Sequence, residues 1–118
     1  MFLEVNLRLK PGRIPGPDLV IVKDVDPREL VIDAASVYLV CEVVSPSNAA
    51  ADRVKKMAYY AEAGIPWYLI ADPRQDLVLH LHRLVDAHYV LDAEGRPGRP
   101  LRMTAPVVAD LDPAGLEL

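Results

Sequence analysis

Tyr38-Leu39-Val40-Cys41-Glu42-Val43-Val44-Ser45-Pro46-Ser47-Asn48 sets a carboxylate inside one of the most apolar runs of the chain and then breaks the run with a serine–proline pair. The run is short and β-branched, which predicts a strand over Val37–Val44 buried on both faces. A carboxylate in such a strand is costly to desolvate unless it is paired, protonated or bound to a metal. The period of two puts Tyr38, Val40, Glu42 and Val44 on one face, and Leu39, Cys41 and Val43 on the other.

Downstream of the break, Ser47 is the expected N-cap of a helix running to about Ala63, and Gly64 supplies its left-handed stop. The expected apolar stripe is Ala50, Val54, Met57 and Ala61. Asp52, Lys56 and Tyr60 follow one another at four-residue spacing along another side, which lets the long Lys56 stem reach past the helix edge toward Glu42. Ile65–Ala71 reads as the next strand, so a strand–helix–strand unit spans Tyr38–Ala71.

Upstream, Phe2–Leu9 alternates apolar and polar residues as a half-buried strand. The proline-rich segment at 11–17 is a turn, and Asp18–Lys23 is a second strand opened by a second carboxylate. Asp24–Ser36 reads as a loop with one helical turn. Toward the other end, Leu77–Leu84 and His88–Leu91 form a hairpin around Asp86-Ala87. Asp92–Pro100 is expected as a polar turn and Pro106–Leu111 as an edge strand. These elements predict an α/β fold: a mixed sheet with one main helix packed on it, as a single domain over residues 1–118.

Composition narrows the function. At 118 residues the chain is long enough for a real core, and a hydrophobic fraction of 52% excludes disorder. No apolar stretch approaches the ~20 residues that span a bilayer. The lone Cys41 excludes an internal disulfide framework and reads as a small core hydrophobe, and with no secretion signal seen at Met1-Phe2-Leu3-Glu4 the expected compartment is cytoplasmic. A net charge of −4, with Arg53, Lys55 and Lys56 as the densest basic group, does not support strong autonomous affinity for nucleic acid. A metal-loaded site or a basic surface built by dimerisation would have to offset the repulsion from phosphate.

Two acids, Asp18 and Glu42, on neighbouring strands with a nearby lysine are the parts of a metal-dependent phosphodiester-cleaving site. Pairs of hard oxygen ligands suit Mg2+ or Mn2+. The bland reading is that Asp18 begins a strand after a proline and that Asp52 and Lys56 form an ordinary exposed pair worth a few tenths of a kcal/mol. Glu42 resists that reading better. His80 and His82 share one face of the hairpin with His88 nearby, and a solvated face is expected there in preference to zinc. Trp67 reads as core or interface.

Taken together, Pro17-Asp18, Glu42-Val43-Val44-Ser45-Pro46-Ser47, Asp52-Arg53, Lys56, Tyr60 and Gly64-Ile65-Pro66 resemble the Uma-type restriction endonucleases, a branch of the PD-(D/E)XK nuclease superfamily. The resemblance implies a restriction-endonuclease-like mixed sheet, mainly parallel at its centre, and an endonuclease hydrolysing DNA. It implies that Asp18 and Glu42 bind Mg2+ or Mn2+, with the backbone carbonyl of Val43 as a further ligand. The lysine usual two residues after the acid is replaced by Val44. Lys56 on the helix is implied in its place, with Lys55 less favoured and Asp52 and Tyr60 in support. Relative to the family pattern the fold is expected to be reduced at the N-terminus, and the usual Tyr-Trp pair after the helix reads Trp67-Tyr68. The expected partners are DNA, bound weakly or through a dimer, and a second copy of the chain, without a membrane. The alternative is a catalytically inactive nuclease-fold module serving dimerisation or partner binding.

Overall fold

The computed structural model describes residues 37–44, 50–106 and 108–115, together with the backbone of short strands at 2–3, 6–8, 19–22 and 31–33; side chains are described for 37–44, 53–106 and 108–114. The element order is β1 (Phe2–Leu3), β2 (Asn6–Arg8), β3 (Leu19–Val22), β4 (Val31–Asp33), β5 (Val37–Val43), α1 (Ala50–Glu62), β6 (Trp67–Asp72), β7 (Val78–Val85), β8 (His88–Gly95), β9 (Leu101–Met103) and β10 (Ala109–Leu111). A short 3-10 turn, Pro113–Gly115, follows.

Six strands form the main sheet in the order β1-β3-β5-β6-β7-β8. The run that opened the sequence reading is β5, near its centre. It pairs antiparallel with β3 and parallel with β6, Glu42 standing opposite Ile70. The expected mixed α/β sheet with one main helix is therefore present. Within this sheet the parallel character is confined to β5 and β6, the two strands that α1 connects. A long crossover, here helical, is what a parallel pair requires, whereas β7 and β8 are joined by a tight turn.

Two layers cover the sheet. On one side Leu39, Cys41, Leu69, Ala71, Leu79 and Leu81 meet Leu101 and Met103 of the β9–β10 ribbon in a purely apolar cluster. On the other side Val37, Val40 and Tyr68 meet Tyr60 of α1 and Ile65 behind it. Strand alternation thus sends Leu39 and Cys41 one way and Val40 the other, as expected. It fails at the strand's start: the β3–β5 register slips between Ile21 and Val22, so Val22 faces Val37 directly after Ile21 faces Leu39. The extra residue is Tyr38, which is left 39% exposed.

Several boundaries differ from the sequence reading. The first strand is divided into β1 and β2, which join different sheets. The expected loop at 24–36 contains β4, paired parallel with β2. The expected polar turn at 92–100 is strand as far as Gly95, and only Arg96–Arg99 form the turn, with Gly98 at φ +80°. Polar side chains there decorate an exposed strand edge, so composition imitated a loop. The last strand pairs with β9 in the small ribbon and does not edge the main sheet. Ser47 lies outside the described residues.

The end of α1 follows its local chemistry closely. Gly64 adopts φ +77°, its N–H donates to the Ala61 carbonyl at 3.0 Å, and the Ile65 N–H donates to the Tyr60 carbonyl at 3.1 Å. Those two bonds, with Ile65 packed in the same cluster as Tyr60, make a Schellman stop. The helix face is a correction. Val54, expected in the buried stripe, is 67% exposed, whereas Tyr60 is fully buried. The reason is the partner surface: the sheet beneath α1 carries a buried carboxylate, and it selects the helix side that holds donors.

Candidate active site

Glu42 is 3% exposed, and among the described residues it is the buried charged group. It sits one residue before the end of β5, on the face under α1. Two side chains of the helix answer it. The Tyr60 hydroxyl donates to Glu42 Oε1 at 2.6 Å, a bond short enough for an O–H to a charged acceptor. Lys56 Nζ stands 3.5 Å from Oε2, and the lysine side chain is only one quarter exposed. Lys56 and Tyr60 are i and i+4 on one side of the helix, so the Schellman stop that fixes the last turn also fixes where both donors point. The Lys56 ion pair and the Tyr60 charge-assisted hydrogen bond thereby offset the desolvation of Glu42, the condition a buried charge has to meet.

Behind this clasp lies a group of aromatic rings. Tyr68 of β6 stands edge-on to Tyr60 with ring centres 5.6 Å apart, and edge-on to Tyr89 of β8 at 5.4 Å. The Tyr89 hydroxyl donates to the Ile65 carbonyl at 2.6 Å, tying the strand after the helix to the hairpin. Burial first and the Glu42 charge second push the Tyr68 phenol well above the usual tyrosine range, so it stays protonated. His82 lies against the same ring, with centres 6.1 Å apart, and its Nδ1 is 3.3 Å from the Tyr68 carbonyl oxygen. Burial holds the His82 imidazole below the ordinary histidine value.

The site residues expected from sequence divide into three groups. Glu42, Lys56 and Tyr60 are brought together, with Tyr60 closer to Glu42 than Lys56 is. Lys55 is on the exposed side of α1. Val43 is paired with Ala71 of β6. Asp18 lies outside the described residues, and Asp52 belongs to α1 with its side chain outside them. Leu19, the chain neighbour of Asp18, stands opposite Cys41, the neighbour of Glu42. His80 and His82 are half-buried, contrary to the solvated face expected for them; His80 Nε2 is 3.3 Å from Glu94 Oε2. Tyr68 escapes the sequence reading because Trp67–Ala71 is apolar without a break, and nothing in that run says which face meets the helix.

Beyond the end of β6 a polar cleft of about 560 Å3 is lined by Asp72, Arg74, Gln75, Asp76, Val78 and Arg96. Both of its arginines are bonded to acids: Arg74 bonds Asp72 through Nε and Nη2 at 3.0 and 2.9 Å, and Arg96 Nε bonds Glu94 at 2.5 Å. The guanidinium of Arg74 holds the Asp72 carboxyl down at about 2.

The donor chemistry fits a hard divalent cation. Mg2+ and Mn2+ are held by one or two carboxylates with water completing the shell, and Glu42 supplies a carboxylate near the carboxyl end of a parallel strand pair, where α/β sheets bind ligands. Among the described residues no group of three or more His, Cys, Asp or Glu side chains lies close enough to form an all-protein cage. No described helix is long and apolar enough to cross a membrane.

No curated protein matches the chain. The family model described as "Putative restriction endonuclease" matches residues 1–112, nearly the whole sequence. With the mixed sheet, the single crossover helix and the Glu42–Lys56 pair already in place, that match makes this chain a member of the Uma2 family of restriction-endonuclease-like proteins.

Proposed function

We propose that the chain is a divalent-metal-dependent endonuclease that hydrolyses DNA phosphodiester bonds, with Glu42 and Asp18 as metal ligands, Lys56 as the catalytic cation, and Asp52 and Tyr60 in support. The observation that carries this reading is the buried Glu42 carboxylate clasped by Lys56 Nζ and the Tyr60 hydroxyl. A purely structural core gains little from such a group, because a well-packed apolar residue in its place is often as stable.

A bound Mg2+ or Mn2+ would polarise a phosphate oxygen and lower the pKa of an attacking water. Tyr60 holds one Glu42 oxygen in place, so the other meets the site at a set angle. Lys56 neutralises the carboxylate before substrate arrives and carries its ammonium to the phosphate or the nucleophile when it does. Asp18 is assigned the second ligand position because Leu19 is registered opposite Cys41, which would bring residue 18 across from Glu42. The Val43 carbonyl is assigned as a further ligand from the resemblance alone.

The test is a melting series with and without Mn2+ on wild type, Glu42→Gln and Lys56→Ala, paired with a plasmid-nicking assay. Wild type should be stabilised by Mn2+, by mass action on the folded state. Glu42→Gln should lose that shift and should also lower the metal-free melting temperature, since it leaves the Lys56 ammonium without its counter-charge. Lys56→Ala should keep the shift and lose nicking. A wild type whose melting ignores Mn2+ would remove the metal site.

One observation favours the second reading, a nuclease-fold module that dimerises. An apolar groove between α1 and the β7–β8 hairpin is lined by Val54, Met57, Ala58, Ala61, Ala87 and Tyr89, with Val54 open to solvent. A homodimer at this groove is compatible with the nuclease reading as well as with the catalytically inactive module.

A further inference from the structure

Three tyrosines pack together between α1 and the sheet, and two of them have bonded hydroxyls. Tyr60 donates to Glu42 and Tyr89 to the Ile65 carbonyl, each at 2.6 Å. Tyr68 differs. It is fully buried, and among the described residues its hydroxyl is the buried side-chain polar atom without a hydrogen-bond partner. Such a group is destabilising, and native folds retain few of them.

Rotation does not relieve it. The Tyr68 ring is fixed edge-on by Tyr60, Tyr89 and His82, with ring centres 5.4–6.1 Å away. Its backbone stands opposite Val40, two residues before Glu42 on the same face of the sheet, so the phenol lies beside the floor of the carboxylate site. The phenol is thus an O–H donor beside the buried carboxylate, without an acceptor among the described residues.

We propose that Tyr68 is a positioning residue of the site: its hydroxyl is reserved for a water oxygen held against the Glu42 carboxylate when the divalent cation is bound. A buried water needs two to four polar partners, and a phenol with a carboxylate provides the first two. The inference rests on the metal-dependent reading above and adds to it a donor that orients the hydration shell from inside the protein. An unpaired hydroxyl at a ligand site is where a fold gives up stability for binding.

The experiment compares Tyr68→Phe with wild type and Glu42→Gln. Phenylalanine keeps the ring and its three edge contacts, so the variant should fold. Without metal its melting temperature should equal or exceed that of wild type, because an unpaired polar atom has been removed. Its affinity for Mn2+, read from a thermal-shift titration, should fall about fivefold, as expected for the loss of one hydrogen bond. Tyr68→Phe titrating Mn2+ as wild type does would overturn the proposal. So would a fall of several degrees in the metal-free melting temperature, since that would mean the hydroxyl is bonded within the fold. A wild type that does not respond to Mn2+ would instead overturn the nuclease reading, and this inference with it.

Discussion

The two faces of one sheet are built by opposite rules. Against the β9–β10 ribbon the buried residues described are all apolar: Leu39, Cys41, Leu69, Ala71, Leu79, Leu81, Leu101 and Met103. Against α1 the same strands present Glu42, Tyr68 and His82 beside Val40, and the helix returns Lys56 and Tyr60. Adjacent residues of β5 therefore serve two ends, Cys41 packing on one side and Glu42 held as a charge on the other. The first face is tolerant chemistry that gains free energy from area alone. The second depends on directed bonds, each with one donor and one acceptor in place, and that dependence is what a catalytic site requires.

Mutations on the two faces should consequently separate stability from metal response. Leu81→Ala, on the hydrocarbon face, should cost about 3 kcal/mol in denaturant unfolding through the cavity it leaves, yet the remaining folded protein should show an unchanged Mn2+ affinity. A changed affinity would mean that the faces are coupled through the sheet. Gly95→Ala tests the same face by overfilling: a Cβ there would meet the Leu101 backbone nitrogen at 2.9 Å and its Cβ at 2.8 Å. It should cost about 2 kcal/mol, again with the metal response intact.

On the helix face, Tyr60→Phe removes the O–H that satisfies Glu42 Oε1. Loss of a hydrogen bond to a buried charge should cost about 2 kcal/mol and should reduce nicking as well, a pairing that no substitution on the other face should reproduce. An unaltered melting temperature would show that the Tyr60 hydroxyl is not needed to compensate Glu42.

His82 gives a pH signature. Burial holds its folded value below the ordinary 6.5, so as pH falls the unfolded chain takes up the proton first. Stability is full above 6.5 and should decline as pH drops from there through the lower folded value. His82→Gln should flatten that slope in melting curves recorded between about pH 7 and 5. A slope unchanged in the variant would show that His82 is not its source.

The smallest expected effect is Val54→Asp. Val54 is mostly exposed on α1, so the monomer should be stable to within about 0.5 kcal/mol of wild type. If the groove it lines is a homodimer interface, sedimentation should show dimeric wild type and monomeric Val54→Asp. Wild type sedimenting as a monomer at micromolar concentration would end the dimer proposal.

Local chemistry was legible wherever a short segment decides its own conformation. The apolar β-branched run at 37–43 forms β5, Gly64 stops α1 by adopting the left-handed conformation, and a carboxylate amid Val40, Cys41 and Val43 stands out before any partner is known. The four-residue spacing of Lys56 and Tyr60 likewise put both on one side of a helix. Those are properties of the backbone and of desolvation, which act over a few residues. What only the tertiary structure decided is which surfaces meet. The helix turned Val54 outward and Tyr60 inward because the sheet beneath it held a charge needing donors. The bulge at Tyr38 moved Val37 to the helix side, and an unbroken apolar strand became the carrier of the unpaired Tyr68 hydroxyl. Faces are chosen by the packing of elements distant in sequence, and a run with no polar residue carries no mark of the side on which its neighbour will lie.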